Sequence, residues 1–475
     1  MKNLIKLVLI LSVIFVSTYQ SLADGYKIKV KINGLKDTTI YLGYHFGDKN
    51  FVLDTTNVNN KGEGVFTGKK NLERGIYLII LPEKSFFELI IDKDQDFSVE
   101  TDTSSKAENF VKKLKIKGSK ENLEFNDYQK FMIVQSEKIG FLRKKMQLNK
   151  ENKDSLEIYK QKIKDTDKDV KNKWGEIIKN NPEALLSKII NSLNEVIVPD
   201  APLDENGNKI DSLFAYHYYK NHFFDNVDFT DDGLLRSPIF FYKLNQFFKK
   251  VIIQIPDSVN IEAEKIIEKS KADKDVFQYV LQFIFNYANS SNIMGMDKTF
   301  VFLAEEYYLS GQATWVDSSF VEKIRDRVNE LTPNLIGNLA PELKMTTYDE
   351  KFVSLHQVKA EYTVLIFWDP DCGHCKKDLP KLHELYQKYW EKGVEVFSVY
   401  TQVDFKEWKK FLVDKGLTDW LNVYDPYNFS DFRNKYNVVS TPLVYVLDKD
   451  KKIIAKRIDI DTVEKILSDK IDIKQ

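Results

Sequence analysis

The chain has 475 residues, more than the roughly 100–200 that one domain usually contains, so two to four domains are expected. Its composition is 43% hydrophobic and 30% charged, with 12 Pro and 19 Gly, which excludes a disordered chain. A formal net charge of −1 argues against nucleic acid as a partner.

Residues 1–23 have the pattern of an export signal. Lys2 and Lys6 precede an apolar run over 7–16, and small residues lead up to Ala23, after which we expect cleavage. The run is shorter than the about 20 residues that cross a bilayer. No later stretch is apolar enough, so no membrane span is expected after cleavage. An uncleaved anchor is the alternative, and a lipid anchor is not expected because no Cys lies near the cleavage site.

Residues 24–106 are predicted to form a β-rich, sandwich-like domain. Tyr26, Ile28, Val30 and Ile32 alternate with lysines, which is typical of a half-buried strand. A turn is predicted at 59–62. Further short β-like runs cover 39–44, 64–67, 76–81, 87–91 and 97–100. This spacing favours a small antiparallel sandwich or barrel.

Residues 107–335 are predicted to be mainly helical. Apolar residues recur at helical spacing over 185–193 and 276–285, and the charged stretch 144–180 predicts a long solvated helix or a helical pair. The aromatic residues between Phe214 and Phe248 are interpreted as core, with a groove for unfolded protein as the alternative.

Two histidines in this helical region raise the question of a metal site. His217 and His222, with Asp225 and Asp228, fit no ligand spacing of a known metal site. We interpret them as the polar end of a surface helix, and no metal is expected there.

Residues 336–475 alternate between strands and helices, which predicts an α/β sheet with some parallel pairs. The predicted order is three strands, a helix, a strand, two helices, two strands and a helix. Apolar runs at 363–368, 394–400 and 443–447 supply strands, and 453–458 pairs with the last of these as a hairpin.

The two cysteines of the chain, Cys372 and Cys375, both lie in one Cys-Gly-His-Cys motif. If the motif opens a helix, residues three apart lie on one face, and the helix N-terminus stabilises a thiolate there. Cys372 is nearer that end and is the predicted nucleophile, and Cys375 is the resolving thiol. Electrons pass through the pair itself, so no bound cofactor is expected.

Two other interpretations of the motif are weaker. Zinc needs four ligands, and no second Cys pair completes a site. An inert structural disulfide closing so short a loop gains little stability.

The residues around the motif resemble the thioredoxin superfamily. The stretch from Phe367 and Trp368 to the second Cys matches its Phe-Trp-x-x-x-Cys-x-x-Cys core. Pro380 matches the proline that bends its first helix, and Thr441-Pro442 matches its cis-proline, which faces the cysteines and lines the substrate groove. The segments 338–343 and 353–355 resemble the lead-in of TlpA-type exported oxidoreductases. The resemblance implies a thioredoxin-like fold for this region.

The same resemblance implies roles for individual residues. Cys372, Cys375, His374 and Pro442 are the implied catalytic residues, and Thr441, Trp368 and Gly373 are the implied substrate-binding residues. Upstream, the segments 224–229, 234–238 and 292–297 resemble a helical domain of unknown function in Bacteroidetes-type exported proteins. That resemblance implies location in the periplasm or cell envelope.

Two departures from the thioredoxin pattern affect the chemistry. Ile366 replaces the buried acid that moves protons in thioredoxins, and Asp371 replaces the Trp that often precedes the first Cys. Asp371 and nearby Asp369 oppose the thiolate, whereas His374, shared with protein disulfide isomerases, favours it.

The sequence therefore predicts an exported thiol-disulfide oxidoreductase, more specifically a reductase. Its expected partners are protein thiols and disulfides and an upstream redox protein, and the sequence leaves the oligomeric state open. The alternative is an envelope binding protein whose first two domains recognise a polypeptide or glycan and whose redox domain is accessory.

Overall fold

The computed structural model describes residues 25–103 and 107–472, so the predicted signal lies outside the described residues. The chain divides into two compact units. The first comprises residues up to Val251 together with Ser270–Val276, and the second comprises Ile252–Lys269 and the residues from Phe277 onward. Within the described ranges, no helix combines the length and apolar character needed to cross a bilayer.

The first unit begins with two four-stranded sheets. One sheet has the order β4-β1-β7-β8 and the other the order β3-β2-β5-β6. The strands are β1 (Tyr26–Asn33), β2 (Thr38–Phe46), β3 (Lys49–Val58), β4 (Glu63–Gly68), β5 (Gly75–Ile80), β6 (Phe86–Ile91), β7 (Asp96–Asp102) and β8 (Lys115–Lys117).

The inward side chains of both sheets form one hydrophobic core, which confirms the predicted sandwich. Ile28, Val30 and Ile32 point into it, as the alternation with lysines predicts. Contrary to the antiparallel expectation, β1 and β7 pair in parallel. The sequence pattern did not predict β3, because the first half of this edge strand is exposed and has no alternation.

The structure confirms helices at the two apolar runs, 185–193 and 276–285. The charged stretch 144–180 lies in a helical pair, α2 and α3. The helices are α1 (Ala107–Lys113), α2 (Lys120–Leu148), α3 (Lys153–Asn180), α4 (Leu185–Leu193), α5 (Phe214–His222), α6 (Pro238–Gln246), α7 (Pro256–Ser270), α8 (Lys274–Asn289), α9 (Asp297–Leu303) and α10 (Ser318–Leu331). Short 3₁₀ turns cover Asp232–Arg236 and Thr332–Asn334, and π-helical turns cover Phe247–Val251 and Ala304–Leu309.

The C-terminal region is a seven-stranded sheet of order β10-β9-β13-β12-β11-β14-β15, with helices on both faces, which confirms the α/β prediction. Its strands are β9 (Lys344–Thr347), β10 (Phe352–Ser354), β11 (Tyr362–Trp368), β12 (Val394–Tyr400), β13 (Leu421–Tyr424), β14 (Leu443–Asp448) and β15 (Ile453–Lys456). Its helices are α11 (Cys375–Tyr389), α12 (Phe405–Lys415), α13 (Phe432–Lys435) and α14 (Ile460–Asp472). The predicted order omitted β13, a four-residue strand between the two helices α12 and α13.

The central strand β11 is buried at every position because both faces of the sheet are covered. Val364 and Ile366 face one core with α11 and α14, whereas Leu365 and Phe367 face the other. Strands β11, β12 and β13 are parallel, so their carboxyl ends meet at one edge of the sheet. The antiparallel strand β14 begins at that same edge, beside Phe367.

Candidate active site

The Cys-Gly-His-Cys motif occupies the turn that joins β11 to α11. The N–H of Cys372 donates to the Asp369 carbonyl at 3.2 Å, and the Lys376 N–H donates to the Cys372 carbonyl at 3.1 Å. Helix α11 begins at Cys375, so Cys372 lies just before its N-terminus. The motif therefore opens a helix, which is the condition under which the roles of its two thiols were predicted.

The two cysteines differ in exposure. Both are free thiols; Cys372 is partly exposed, whereas Cys375 is fully buried. Cys375 belongs to the hydrophobic cluster that contains Leu379 and Leu382 of α11. A substrate can reach the first sulfur from solvent but not the second.

The pKa of the Cys372 thiol is held below its ordinary value. Partial burial alone raises this pKa, but the hydrogen bonds that the sulfur accepts outweigh burial. The backbone N–H of Cys375 points to Cys372 Sγ at 3.5 Å, and the backbone N–H of His374 acts in the same direction. These are the unpaired N–H groups of a helix N-terminus, which favour a thiolate.

At the second thiol burial outweighs the hydrogen bonds that the sulfur accepts, and it raises the pKa of Cys375 to about 12. The neighbouring Cys372 adds to this rise through a hydrogen bond and through its charge. Ile366 is fully buried and packs in the same cluster as Cys375, at the position where thioredoxins carry an acid. The second thiol is therefore held protonated while the first is free to ionise.

The segment Thr441-Pro442 closes the other side of the site. Its peptide bond is cis, and the Cys372 thiol donates to the Thr441 carbonyl at 3.2 Å. Both residues are half-buried and immediately precede β14. The structure thus brings Thr441 and Pro442 to Cys372, although 69 residues separate Cys372 from Thr441 in the sequence.

The inner dipeptide is exposed. Gly373 has no heavy atom within 4 Å of the position where a Cβ would lie, and His374 is exposed at the start of α11. An open rim of this kind leaves room for a polypeptide to lie across Cys372.

The structure does not place Trp368 at this rim. Its side chain is fully buried, its Nε1 donates to Ser398 Oγ at 2.8 Å, and its ring packs on Phe411. A ring with no exposed surface cannot contact a substrate. Trp368 instead supports the turn that carries the cysteines, because it is the residue from which that turn departs.

Three residues on β12 or the loop after it belong to the site and were not predicted. They are Ser398, which holds Trp368, Thr401, whose N–H and hydroxyl donate to the Trp368 carbonyl at 3.0 and 2.9 Å, and Gln402. Gln402 donates to the carboxylate of Asp369, which also accepts from the Asp371 N–H at 2.8 Å. The sequence signal that could have indicated these residues is their position at or just after the end of a predicted strand, because parallel strands end at one edge of a sheet.

The histidines of the helical region each pair with a separate carboxylate. His217 contacts Asp211 at 2.8 Å, and His222 contacts Asp225 at 2.6 Å. Within residues 25–103 and 107–472, no three His, Cys, Asp or Glu side chains converge in a way that could hold a metal ion. Phe223, Phe224 and Phe247 are buried against one another as core.

Comparison with known families gives three matches. Residues 336–456 match the AhpC/TSA family, residues 26–125 match a domain of unknown function (DUF4369), and residues 179–334 match a second domain of unknown function (DUF5106).

Individual relatives match the C-terminal region. The thiol-disulfide oxidoreductase ResA of Bacillus cereus is 30% identical over 141 residues, which cover 28% of this chain and 74% of that protein. ResA of Geobacillus kaustophilus is 28% identical over 141 residues, covering 29% of this chain and 79% of that protein. A solved domain of a possible thiol-disulfide isomerase from Cytophaga hutchinsonii is 41% identical, covering 29% of this chain and 92% of that chain, with a TM-score of 0.28.

Proposed function

The chain belongs to the ResA-like thiol-disulfide oxidoreductases, and we propose that it is an exported reductase of protein disulfides that works through Cys372 and Cys375. The observation that carries this proposal is the asymmetry of the two thiols. One is accessible and has a lowered pKa, whereas the other is buried and has a pKa of about 12. This is the division of labour that nucleophilic attack and later resolution require.

The reaction begins with the reduced pair. The Cys372 thiolate attacks one sulfur of a substrate disulfide, that S–S bond breaks, and a mixed disulfide forms. The departing substrate sulfur takes up a proton. Cys375 then loses its proton and attacks Cys372 Sγ, which releases the second substrate thiol. The substrate gains two electrons and two protons, and the protein pair becomes a disulfide that an upstream dithiol protein must reduce.

Formation of the mixed disulfide itself assists the second step. Part of the rise in the pKa of Cys375, after the larger effect of burial, comes from the hydrogen bond and charge of Cys372. Once Cys372 is bonded to a substrate sulfur, it carries no charge and that part disappears. The pKa of Cys375 then falls, although burial, the larger cause of the rise, remains, and the fall favours ionisation of the resolving thiol.

Location and direction rest on the sequence. The signal pattern of residues 1–23 favours export to the periplasm or cell envelope. The lead-in segments 338–343 and 353–355 favour a reductase, although the exposed His374 favours a more oxidising couple.

The test is covalent trapping in a cell-envelope extract. Cys375→Ser keeps the nucleophile but removes the resolving thiol, so it should accumulate mixed disulfides with protein partners. The matched variant Cys372→Ser should trap almost nothing. Equal trapping by both variants would contradict the assigned roles. Equilibration of the purified protein with glutathione tests direction, and a reduction potential above about −180 mV would contradict a reductase.

A further inference from the structure

A cavity of about 560 Å³ lies between residues 288–297 of the helical region and residues 456–462 of the thioredoxin-like region. Both walls belong to the second compact unit. One wall is the Asn-Ile-Met-Gly-Met-Asp segment 292–297, for which the redox chemistry has no use. The other follows β15 and leads into α14.

A buried ion pair holds the two walls together. Lys456 is 4% exposed, and its ammonium donates to the carboxylate of Asp297 and to the Asn334 carbonyl. The Asn334 side chain in turn donates to the Lys435 carbonyl at 2.5 Å. Because these bonds are buried and join distant segments, the cavity is formed before any ligand arrives.

The cavity is close to the nucleophile. Cys372 touches the Thr441 carbonyl, and the Arg457 N–H donates to the Val444 carbonyl at 2.8 Å. Three residues of extended chain separate these two carbonyls, which corresponds to about 10 Å. Ile458, a residue of the cavity wall, packs against the same hydrophobic cluster as Cys372. If the cysteine of an extended polypeptide lies at Cys372, the residue about three positions from that cysteine would therefore lie at the cavity.

The charged side chains that line the cavity are three cations, Arg327, Lys456 and Arg457, and two carboxylates, Asp297 and Asp459, so the formal charge of the lining is positive. Asp297 pairs with Lys456. The carboxylate of Asp459 accepts from the Thr462 N–H at 2.8 Å, at the start of α14, and keeps its negative charge. Arg457 is exposed, and its guanidinium forms no hydrogen bond or ion pair with any residue that the structure describes. A second guanidinium, that of Arg327, lines the cavity and pairs with Glu330 at 2.8 Å, where both side chains are about half exposed.

Arg457 is one of eight described residues other than glycine that have a positive φ, and its φ of 55° lies in the left-handed region. Ile293 and Met294 add partly exposed apolar surface to the cavity wall beside these charges.

On the basis of the proposed reductase function, we propose that this cavity is a specificity site for protein substrates. It receives an acidic side chain about three residues from the cysteine that is attacked. The helical region thereby selects substrates for the redox pair, and an extended acidic polypeptide is the ligand.

The test uses peptides with one cysteine, each linked to 5-thio-2-nitrobenzoate as a mixed disulfide. The peptides differ only in carrying Asp, Ala or Lys three residues from the cysteine, on either side. Release of the chromophore by the reduced full chain gives the second-order rate constant. For the side that reaches the cavity, the Asp peptide should react about fivefold faster than the Lys peptide, the range of an exposed charge pair.

Charge reversal should reverse the preference. Arg457→Glu should favour the Lys peptide, whereas Lys452→Glu, the same charge change on the exposed β14–β15 hairpin, should leave the preference for Asp unchanged. If Arg457→Glu does not fold, Arg457→Gln should abolish the preference. A small uncharged disulfide should be reduced at the wild-type rate by every folded variant.

Two results would overturn this inference and leave the reductase function intact. One is equal rates for the three peptides with the wild-type chain. The other is an equal loss of preference in Lys452→Glu, which would indicate long-range charge rather than the cavity. Failure of the wild-type chain to reduce even the small disulfide would instead remove the reductase function itself.

Discussion

The first compact unit contains a cluster of buried charges, and the second contains the buried thiol of the active site. In the first, Asp231 is 1% exposed, accepts two hydrogen bonds from Arg74 at 2.8 and 2.9 Å, and pairs with Lys188 at 2.9 Å. Arg74 also pairs with Asp92 at 2.6 Å. Each charge therefore has at least one opposite charge in contact, and the cluster joins the sandwich to α4 and to the turn before Asp232–Arg236.

The two thiols of the second unit have fewer hydrogen-bonding and charged partners than the buried charges of the first. Cys375 is surrounded by apolar side chains, and burial raises its pKa to about 12. Cys372 accepts hydrogen bonds from one side and faces solvent on the other. The comparison teaches that a buried group with a full set of oppositely charged and hydrogen-bonding partners stays ionised and stabilises the fold. Burial with few partners leaves a group whose protonation changes when a neighbour changes, which is what exchange chemistry uses.

The largest effect that tests this contrast is expected for Asp231→Ala. Removing the shared carboxylate leaves Arg74 and Lys188 partly unpaired, and breaking a buried pair in this way costs about 3 kcal/mol. We expect this loss in the free energy of unfolding, measured by urea titration, with faster hydrogen exchange in β5 and α4. The alkylation rate of Cys372 at pH 7 should not change.

The matched control is Asp228→Ala. Its carboxylate also pairs with Lys188, at 2.9 Å, but it is 33% exposed and Lys188 keeps Asp231. Such a pair is worth less than about 1 kcal/mol. Similar losses of unfolding free energy for the two variants would contradict the special role of the buried Asp231. A change in the reactivity of Cys372 would show that the cluster is not purely structural.

A smaller effect is expected where the second unit does satisfy a buried polar group. Ser398→Ala removes the acceptor of Trp368 Nε1, whose ring is fully buried, and leaves that N–H without a partner. An orphaned buried donor costs about 1–3 kcal/mol of unfolding free energy. Trp368→Phe removes the donor of the same hydrogen bond. In the double variant no donor is left unpaired, so its loss of unfolding free energy should be smaller than the sum of the losses in the two single variants. Additive losses would contradict the role of this hydrogen bond.

The part of the site that the sequence predicts is the part that depends on local spacing. Cys372 and Cys375 are three residues apart, so if the motif opens a helix, helix geometry brings the two thiols together at its N-terminus, as is found at the start of α11. Ser398 and Gln402 could not be predicted in the same way, because their contacts depend on the register of β11 against β12. The resemblance brought Thr441 and Pro442 to the site, which no local rule does.

The fold follows the same division. Strands such as β1 that alternate between core and solvent were predicted, whereas the exposed edge strand β3 and the four-residue β13 were not. Trp368 was expected to bind substrate because the resemblance implied that role, but the covered sheet face buries it. Lys456 and Asp297 are 159 residues apart, and nothing in the sequence pairs them.

The smallest expected effect concerns the pH dependence of Cys372. Its pKa is lowered in the folded protein, and the thiolate is the reactive form, so alkylation should accelerate as pH rises and level off above that pKa. The midpoint should lie below the about 8.5 of a free cysteine. In Cys375→Ala the hydrogen bond from the Cys375 side chain is lost but the bond from its backbone N–H remains. The midpoint should therefore rise and still stay below that of a free cysteine. A midpoint at or above the free value in the wild-type chain would mean that burial outweighs the helix N-terminus, and Cys372 would then need another source of activation.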